Sequence, residues 1–117
     1  MKHEKIDYVE FPSQDLGKTQ EFFKQVFCWD FTAYGSDYIA FSNEGLDGGF
    51  FKSDKISSTE SGSALIIFYS QELEQTQAKI KSAGGKIVKP VFSFPGGRRF
   101  HFSDPNGNEY AVWTKAS

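Results

Sequence analysis

FPSQDLGKTQEFFK (residues 11–24) and FYSQELEQTQAKIK (residues 68–81) start fifty-seven positions apart and nearly repeat one another. Aligned over residues 11–26 and 68–83, they agree at Phe11/Phe68, Ser13/Ser70, Gln14/Gln71, Leu16/Leu73, Thr19/Thr76, Gln20/Gln77 and Lys24/Lys81. Chance would supply about one such identity, so the chain contains a duplicated unit of about 55 residues. The copies also end alike: AFSNEG from Ala40 resembles HFSDPNG from His101, with a few extra residues in the second loop.

Each copy opens with a short β-prone run, IDYVEF from Ile6 and SALIIFY from Ser63, which reads as a strand. A helix follows, with Ser13 or Asp15 near its start in the first copy and Ser70 or Glu72 in the second. Leu16, Phe23, Val26 and Phe27 share one face of the first helix, and Leu73, Ile80 and Ala83 one face of the second. Gly84 and Gly85 stop the second helix. Three further strands are expected in each copy, from WDFTAY, SDYIAFS and GGFFK, then from KIVKPV, RRFHFS and NEYAVWT. DPNG is a turn, because Asp accepts local backbone bonds, Pro fixes φ and Gly tolerates positive φ. The expected fold is therefore α+β, two tandem βαβββ modules within a single domain over residues 1–117: module one about 5–52, a polar linker about 53–62 and module two about 63–115. Two four-stranded sheets, each with one helix, hide their bare faces by curving into a trough-like cavity.

Charge and composition exclude several partners. A formal charge of -2 with both signs scattered leaves no basic stripe for phosphates, so neither nucleic acid nor an anionic membrane is expected. No apolar run approaches the roughly 20 residues of a spanning helix. Nothing marks MKHEKIDYVEF for export, and Cys28, the only cysteine, forms no internal disulfide, so a cytoplasmic location is expected. Thirteen Phe, five Tyr and two Trp exceed what a small core usually requires, and they either fill a Phe-rich core or line a cavity.

The opening strand, the DL helix start, EFFKQVFCWDF and the closing DPNGNEYAVW together resemble the vicinal oxygen chelate superfamily, which contains glyoxalase I, bleomycin-resistance proteins and extradiol dioxygenases. The resemblance covers nearly the whole chain, and its duplicated plan agrees with the internal repeat. Cys28 departs from it, since the family usually has Gly there. Chelating relatives hold a divalent metal through His or Glu on the first and last strands of each module. Carried over, those positions fall on Tyr8, Leu65, Ala111 and Gly49 or Phe50, none a His or a carboxylate. No metal and no cofactor is expected. A substitute metal site would have to recruit Glu10, His101 and Glu109.

Strand alternation puts Val9, Phe11, Ile66, Phe68, Phe100, Phe102, Tyr110 and Val112 under the helices. The opposite parity faces the trough, and for the last hairpin this requires Ser103 opposite Glu109. The expected ligand-binding residues are Tyr8, Glu10, Tyr38, Tyr69, Arg99, His101 and Trp113, with Glu10 or His101 as general base and Arg99 as oxyanion donor if there is catalysis. KPVFSFPGGRR reads as a loop in which Gly96 and Gly97 hinge and Phe92 and Phe94 close over a ligand. Three functions compete: a metal-independent protein binding a small aromatic or amphipathic molecule, an atypical glyoxalase-like lyase or dioxygenase, and a non-catalytic structural or interaction domain. A homodimer is expected, since the family commonly completes its troughs across a two-fold axis.

Overall fold

The computed structural model describes residues 1–117 and gives both sequence copies the same element order. Module one runs β1 (Tyr8–Ser13), α1 (Leu16–Phe27), β2 (Thr32–Ala33), β3 (Tyr38–Glu44) and β4 (Leu46–Lys52). Module two runs β5 (Ile67–Tyr69), α2 (Leu73–Ser82), β6 (Lys86–Phe94), β7 (Gly97–Ser103) and β8 (Glu109–Lys115). The sheets are ordered β1-β4-β3-β2 and β5-β8-β7-β6. In each, the first strand is parallel to the last and the other pairs are antiparallel. The repeated residues also repeat a bond: Ser13 Oγ lies 2.8 Å from Thr19 Oγ1, and Ser70 Oγ 2.8 Å from Thr76 Oγ1. Each bond ties the end of a strand to the first turns of the helix after it.

The caps explain the helix limits. Asp15 starts α1 by accepting the Lys18 N–H at 3.1 Å. The helix ends at Cys28, whose φ of 60° lies in the left-handed region and whose N–H returns to the Lys24 carbonyl. In α2, Glu72 makes no side-chain cap, and Gly84 takes the positive φ after the last turn. The buried face of α1 is rotated from the expected one. Phe22, Phe23 and Val26 are buried, while Leu16 and Phe27 are only partly so. Phe22 is drawn in by Phe102 of the second module, 6.0 Å away between ring centres.

Both modules share one core. The Phe23 ring lies 5.6 Å from Phe50 in module one and 5.4 Å from Tyr110 in module two, and it stacks on Trp29 at 4.6 Å. Most of the aromatic surplus is spent here, because seven of the thirteen Phe residues are buried, five of them fully. The DPNG turn locks the modules together. The Asn106 side-chain amide reaches Ser13 Oγ, the Asp15 carbonyl and Thr19 Oγ1, and Asn108 donates to the Pro12 carbonyl at 2.7 Å. Asp104 holds the turn by accepting from the Asn106 and Asn108 N–H groups and the Tyr110 hydroxyl. Burial raises the Asp104 carboxyl above its ordinary range, and those hydrogen bonds pull it partly back.

Three segments differ from the sequence reading, the first being WDFTAY, which is a strand only at Thr32–Ala33. The run expected as a loop from Lys89 to Arg99 is a hairpin in which Phe94 pairs with Gly97, and only Pro95 and Gly96 form the turn. β6 passes through Pro90 because it is an edge strand, with register shifts between Ile87 and Lys89 and between Lys89 and Phe92. Gly97, expected as a hinge, lies within β7, paired with Phe94 and Lys115, and a Cβ there would collide with the Thr114 carbonyl of β8. The strand expected from Ser63 forms only over Ile67–Tyr69. No helix is long and apolar enough to cross a membrane.

Candidate functional site

Ser103 pairs with Glu109, so the alternation assumed for the last hairpin holds. Phe100, Phe102, Tyr110 and Val112 enter the core, and Arg99, His101, Glu109, Ala111 and Trp113 take the opposite face. The expected site residues then fall into two groups on different sheets, and no hydrogen bond joins one group to the other.

On the first sheet, Tyr8, Tyr38 and Glu10 form a chain. The Tyr38 hydroxyl donates to Glu10 Oε2 at 2.9 Å and so accepts the Tyr8 hydroxyl at 2.6 Å. Glu10 is thereby bonded within its own sheet and not to Arg99 or Lys2. Burial, with the hydrogen bonds to Tyr8 and Glu10, raises the Tyr38 phenol well above its usual range. The Tyr38 ring lies directly over Gly49, where an added Cβ would overlap the phenol oxygen and ring carbons.

On the second sheet, His101 Nδ1 sits 2.7 Å from Glu109 Oε2, and both side chains are buried, with 8% and 7% exposed. Oε1 of the same carboxylate accepts the Thr59 N–H at 2.9 Å and the Thr59 hydroxyl at 2.8 Å. Burial alone would raise the Glu109 carboxyl, but the bonds from His101 and Thr59 outweigh it and hold the group below the ordinary carboxylate range. Glu109 is therefore ionised and acceptor-only, so Nδ1 carries the hydrogen and Nε2 is the free position of the ring. Around this pair Arg99 lies over the rings of Phe92 and Phe94, at 5.4 and 5.9 Å. Trp113 packs edge-on to Tyr69 at 5.0 Å. Arg98 points to the helix side and donates to Glu74 at 2.6 Å.

Thr59 belongs to the polar segment read from sequence as a linker. The Ser57 carbonyl accepts the Glu109 N–H at 2.8 Å, the Asn108 side chain accepts the Ser57 N–H at 2.9 Å, and the segment covers an end of the second sheet. Glu109 is consequently buried under this segment, and His101, beside Phe92, and Ala111 are also buried rather than open on a trough wall. Glu109 was legible as a partner, since with Ser103 facing it His101 is its diagonal neighbour. Thr59 gave no signal.

The family's metal positions do not fit a metal. Tyr8 is engaged with Tyr38, Gly49 is roofed by the Tyr38 ring, and Leu65 and Ala111 have no donor atom. Nor do Glu10, His101 and Glu109 assemble as a substitute, for no three His, Cys, Asp or Glu side chains cluster anywhere in the chain. A separate apolar cavity of about 580 Å³ opens at the seam of the modules, lined among others by Val9, Trp29, Glu44, Ile67 and Tyr69. Of the expected site residues only Tyr69 borders it. Burial and the charge of Asp30 raise the Glu44 carboxyl at its mouth.

The glyoxalase-related enzyme from Fulvimarina pelagi superposes with a TM-score of 0.80 at 16% identity, over 96% of this chain and 88% of that one. The fosfomycin resistance protein FosX from Listeria monocytogenes gives 0.78 at 21%, over 97% and 94%. An integron cassette protein from V. cholerae gives 0.69 at 20%, over 99% and 98%. At these identities the likeness concerns the fold. No curated protein matches the chain in sequence. The family model that matches residues 5–112 is that of the Glyoxalase/Bleomycin resistance protein/Dioxygenase superfamily, and the chain belongs to that superfamily.

Proposed function

We propose that the protein binds a small aromatic or amphipathic molecule on its trough faces without a metal. The observation that carries this reading is the fate of the four family ligand positions: Tyr8, Gly49, Leu65 and Ala111 provide one phenol, already bonded, and Tyr38 fills the space above Gly49. In place of chelation the faces offer rings and a few placed charges, the composition of a small-molecule site. FosX of Listeria monocytogenes differs here, its E126Q mutant having been solved with Mn(II) and 1S,2S-dihydroxypropylphosphonic acid. Tyr8, Phe51, Ile67 and Tyr69 stand exposed on the trough faces, which supports a second copy of the chain as their cover, giving a homodimer.

A second reading, an enzyme with His101 as general base, is favoured by the buried bond to Glu109. The test begins with native mass spectrometry of freshly purified protein, with an organic adduct and a dimer expected. Stoichiometric metal surviving dialysis, together with a melting temperature lowered by chelator, overturns the metal-free reading. Arg99→Ala is expected to weaken binding of the adduct more than folding, with Arg98→Ala as the control that spares binding. Turnover of the adduct that His101→Ala abolishes and Glu10→Gln retains selects the enzyme.

A further inference from the structure

Only two buried side-chain polar atoms in the whole chain lack a hydrogen-bond partner, Arg99 Nε and His101 Nε2. They belong to residues two apart on β7, on the same face of the sheet, with Cα atoms about 6.6 Å apart at the ordinary strand rise. Phe92 of β6 covers both: its ring is 5.4 Å from the Arg99 guanidinium carbon and 6.0 Å from the His101 ring, and Lys89 Nζ lies 4.6 Å over the same ring. An unsatisfied buried polar atom is costly, and a native structure usually satisfies it with something. Two neighbouring ones under a single ring mark a place where a partner belongs.

The two vacancies are chemically opposite. Arg99 Nε–H is a donor and needs an acceptor. His101 Nε2 is an acceptor in the neutral ring, because Glu109, anchored by Thr59, keeps the hydrogen on Nδ1. A partner must therefore present an acceptor and a donor side by side. It must also be flat, to lie among Phe92, Phe94 and Trp113. The charges facing the spot are Lys89 from β6, Arg99 from β7 and the Glu109 carboxylate from β8, the last already engaged by His101 and Thr59, so the unopposed charge is positive. We infer that this is an anchoring site for a planar aromatic hydroxy acid or hydroxy ketone, whose hydroxyl donates to His101 Nε2 while its carboxylate or carbonyl oxygen accepts from Arg99. This rests on the trough reading above and specifies the ligand's chemistry. Glu109 and Thr59 act as positioning residues that fix the tautomer.

The experiment uses three probes: 2-hydroxybenzoate, benzoate lacking the donor, and phenol lacking the acid. Binding is followed by calorimetry and Trp113 fluorescence, and the ring nitrogens by long-range ¹H–¹⁵N spectra, in which His3 is the only other histidine and serves as the internal reference. The expected result is that 2-hydroxybenzoate binds about tenfold or more tightly than either control, the value of one charge-assisted bond, and shifts His101 Nε2 and Arg99 Nε but not His3. Arg99→Lys, which leaves the His101–Glu109 pair intact, should bring 2-hydroxybenzoate down toward phenol. Glu109→Gln should abolish the preference for the hydroxyl and mix the His101 tautomers. If all three probes alter Trp113 equally and His101 Nε2 stays unmoved, the inference is overturned and the trough reading stands. If no probe alters either residue, both fall. If Nε2 and Nε exchange only with bound water, the water satisfies them and the inference is overturned.

Discussion

In module two the loop between the last two strands sends Asn106 and Asn108 across to Pro12, Ser13 and Thr19; in module one the matching loop bonds through a side chain only to its own Asp47. A duplicated unit offers the same contact twice. Here one is made and the other is left as the seam cavity, bounded by Glu44, Gly45 and Leu46 on one side and Ile67 and Tyr69 on the other. The strand pairings show the same divergence at the site. Glu10 and Ile67 face Gly49 and Ala111, and Ala40 and His101 pair with the same two positions, so Tyr38 of module one corresponds to Arg99 of module two. One module closes its ligand position with a ring, whereas the other builds a polar pair. Joining the modules requires one lock, which leaves the second copy free to diverge.

Breaking that lock should have the largest effect. Asn108→Ala leaves the half-buried Pro12 carbonyl and Ser57 N–H without their partner and should cost about 2–6 kcal/mol, at about 1–3 kcal/mol for each orphaned group. Leu46→Ala at the matching, half-exposed position of module one should cost roughly 1 kcal/mol. Equal losses in urea denaturation would mean that the loops are equivalent in solution. The repeated Ser–Thr bonds give a finer comparison. Ser13→Ala removes a buried hydroxyl that bonds both Thr19 and Asn106 of the other module, so it should lose about 1–3 kcal/mol, against about 0.5–1.5 kcal/mol for Ser70→Ala, whose bonds to Thr76 and the Glu72 N–H lie within its module and nearer to solvent. An Asn106→Ala background that leaves the gap between them unchanged would remove Asn106 as its cause.

The helix ends should show the smallest effect, and with opposite signs. Cys28→Gly relieves a left-handed residue and should stabilise by about 0.5–1 kcal/mol, whereas Gly84→Ala imposes the same strain and should destabilise by a similar amount. Melting curves that move together would show that tertiary contacts, rather than backbone φ, dominate both ends.

The fold was legible because it is written twice and because alternation in the last hairpin is unambiguous once Ser103 faces Glu109. The burial of Phe22 was not, since it depends on Phe102 from the other module rather than on the helix period. Continuation of β6 beyond Val91 to Phe94 was hidden, because FSFPGG has the composition of a loop and the pairing of Phe92, Ser93 and Phe94 with β7 leaves no mark in the sequence. The least legible part of the site was Thr59. A polar segment without periodicity carries no mark of the carboxylate it will meet.

The Tyr38 ring over Gly49 also has a consequence for any attempt to install a metal. A carboxylate introduced at position 49 collides with that ring, a small residue at position 38 alone releases Glu10 and Tyr8 without adding a donor, and a histidine at position 8 alone is a single ligand. Each single step toward chelation therefore forfeits existing contacts before any ion is held, so the steps are non-additive. The ring therefore couples positions 8, 38 and 49, and an ion could be held there only after they change together.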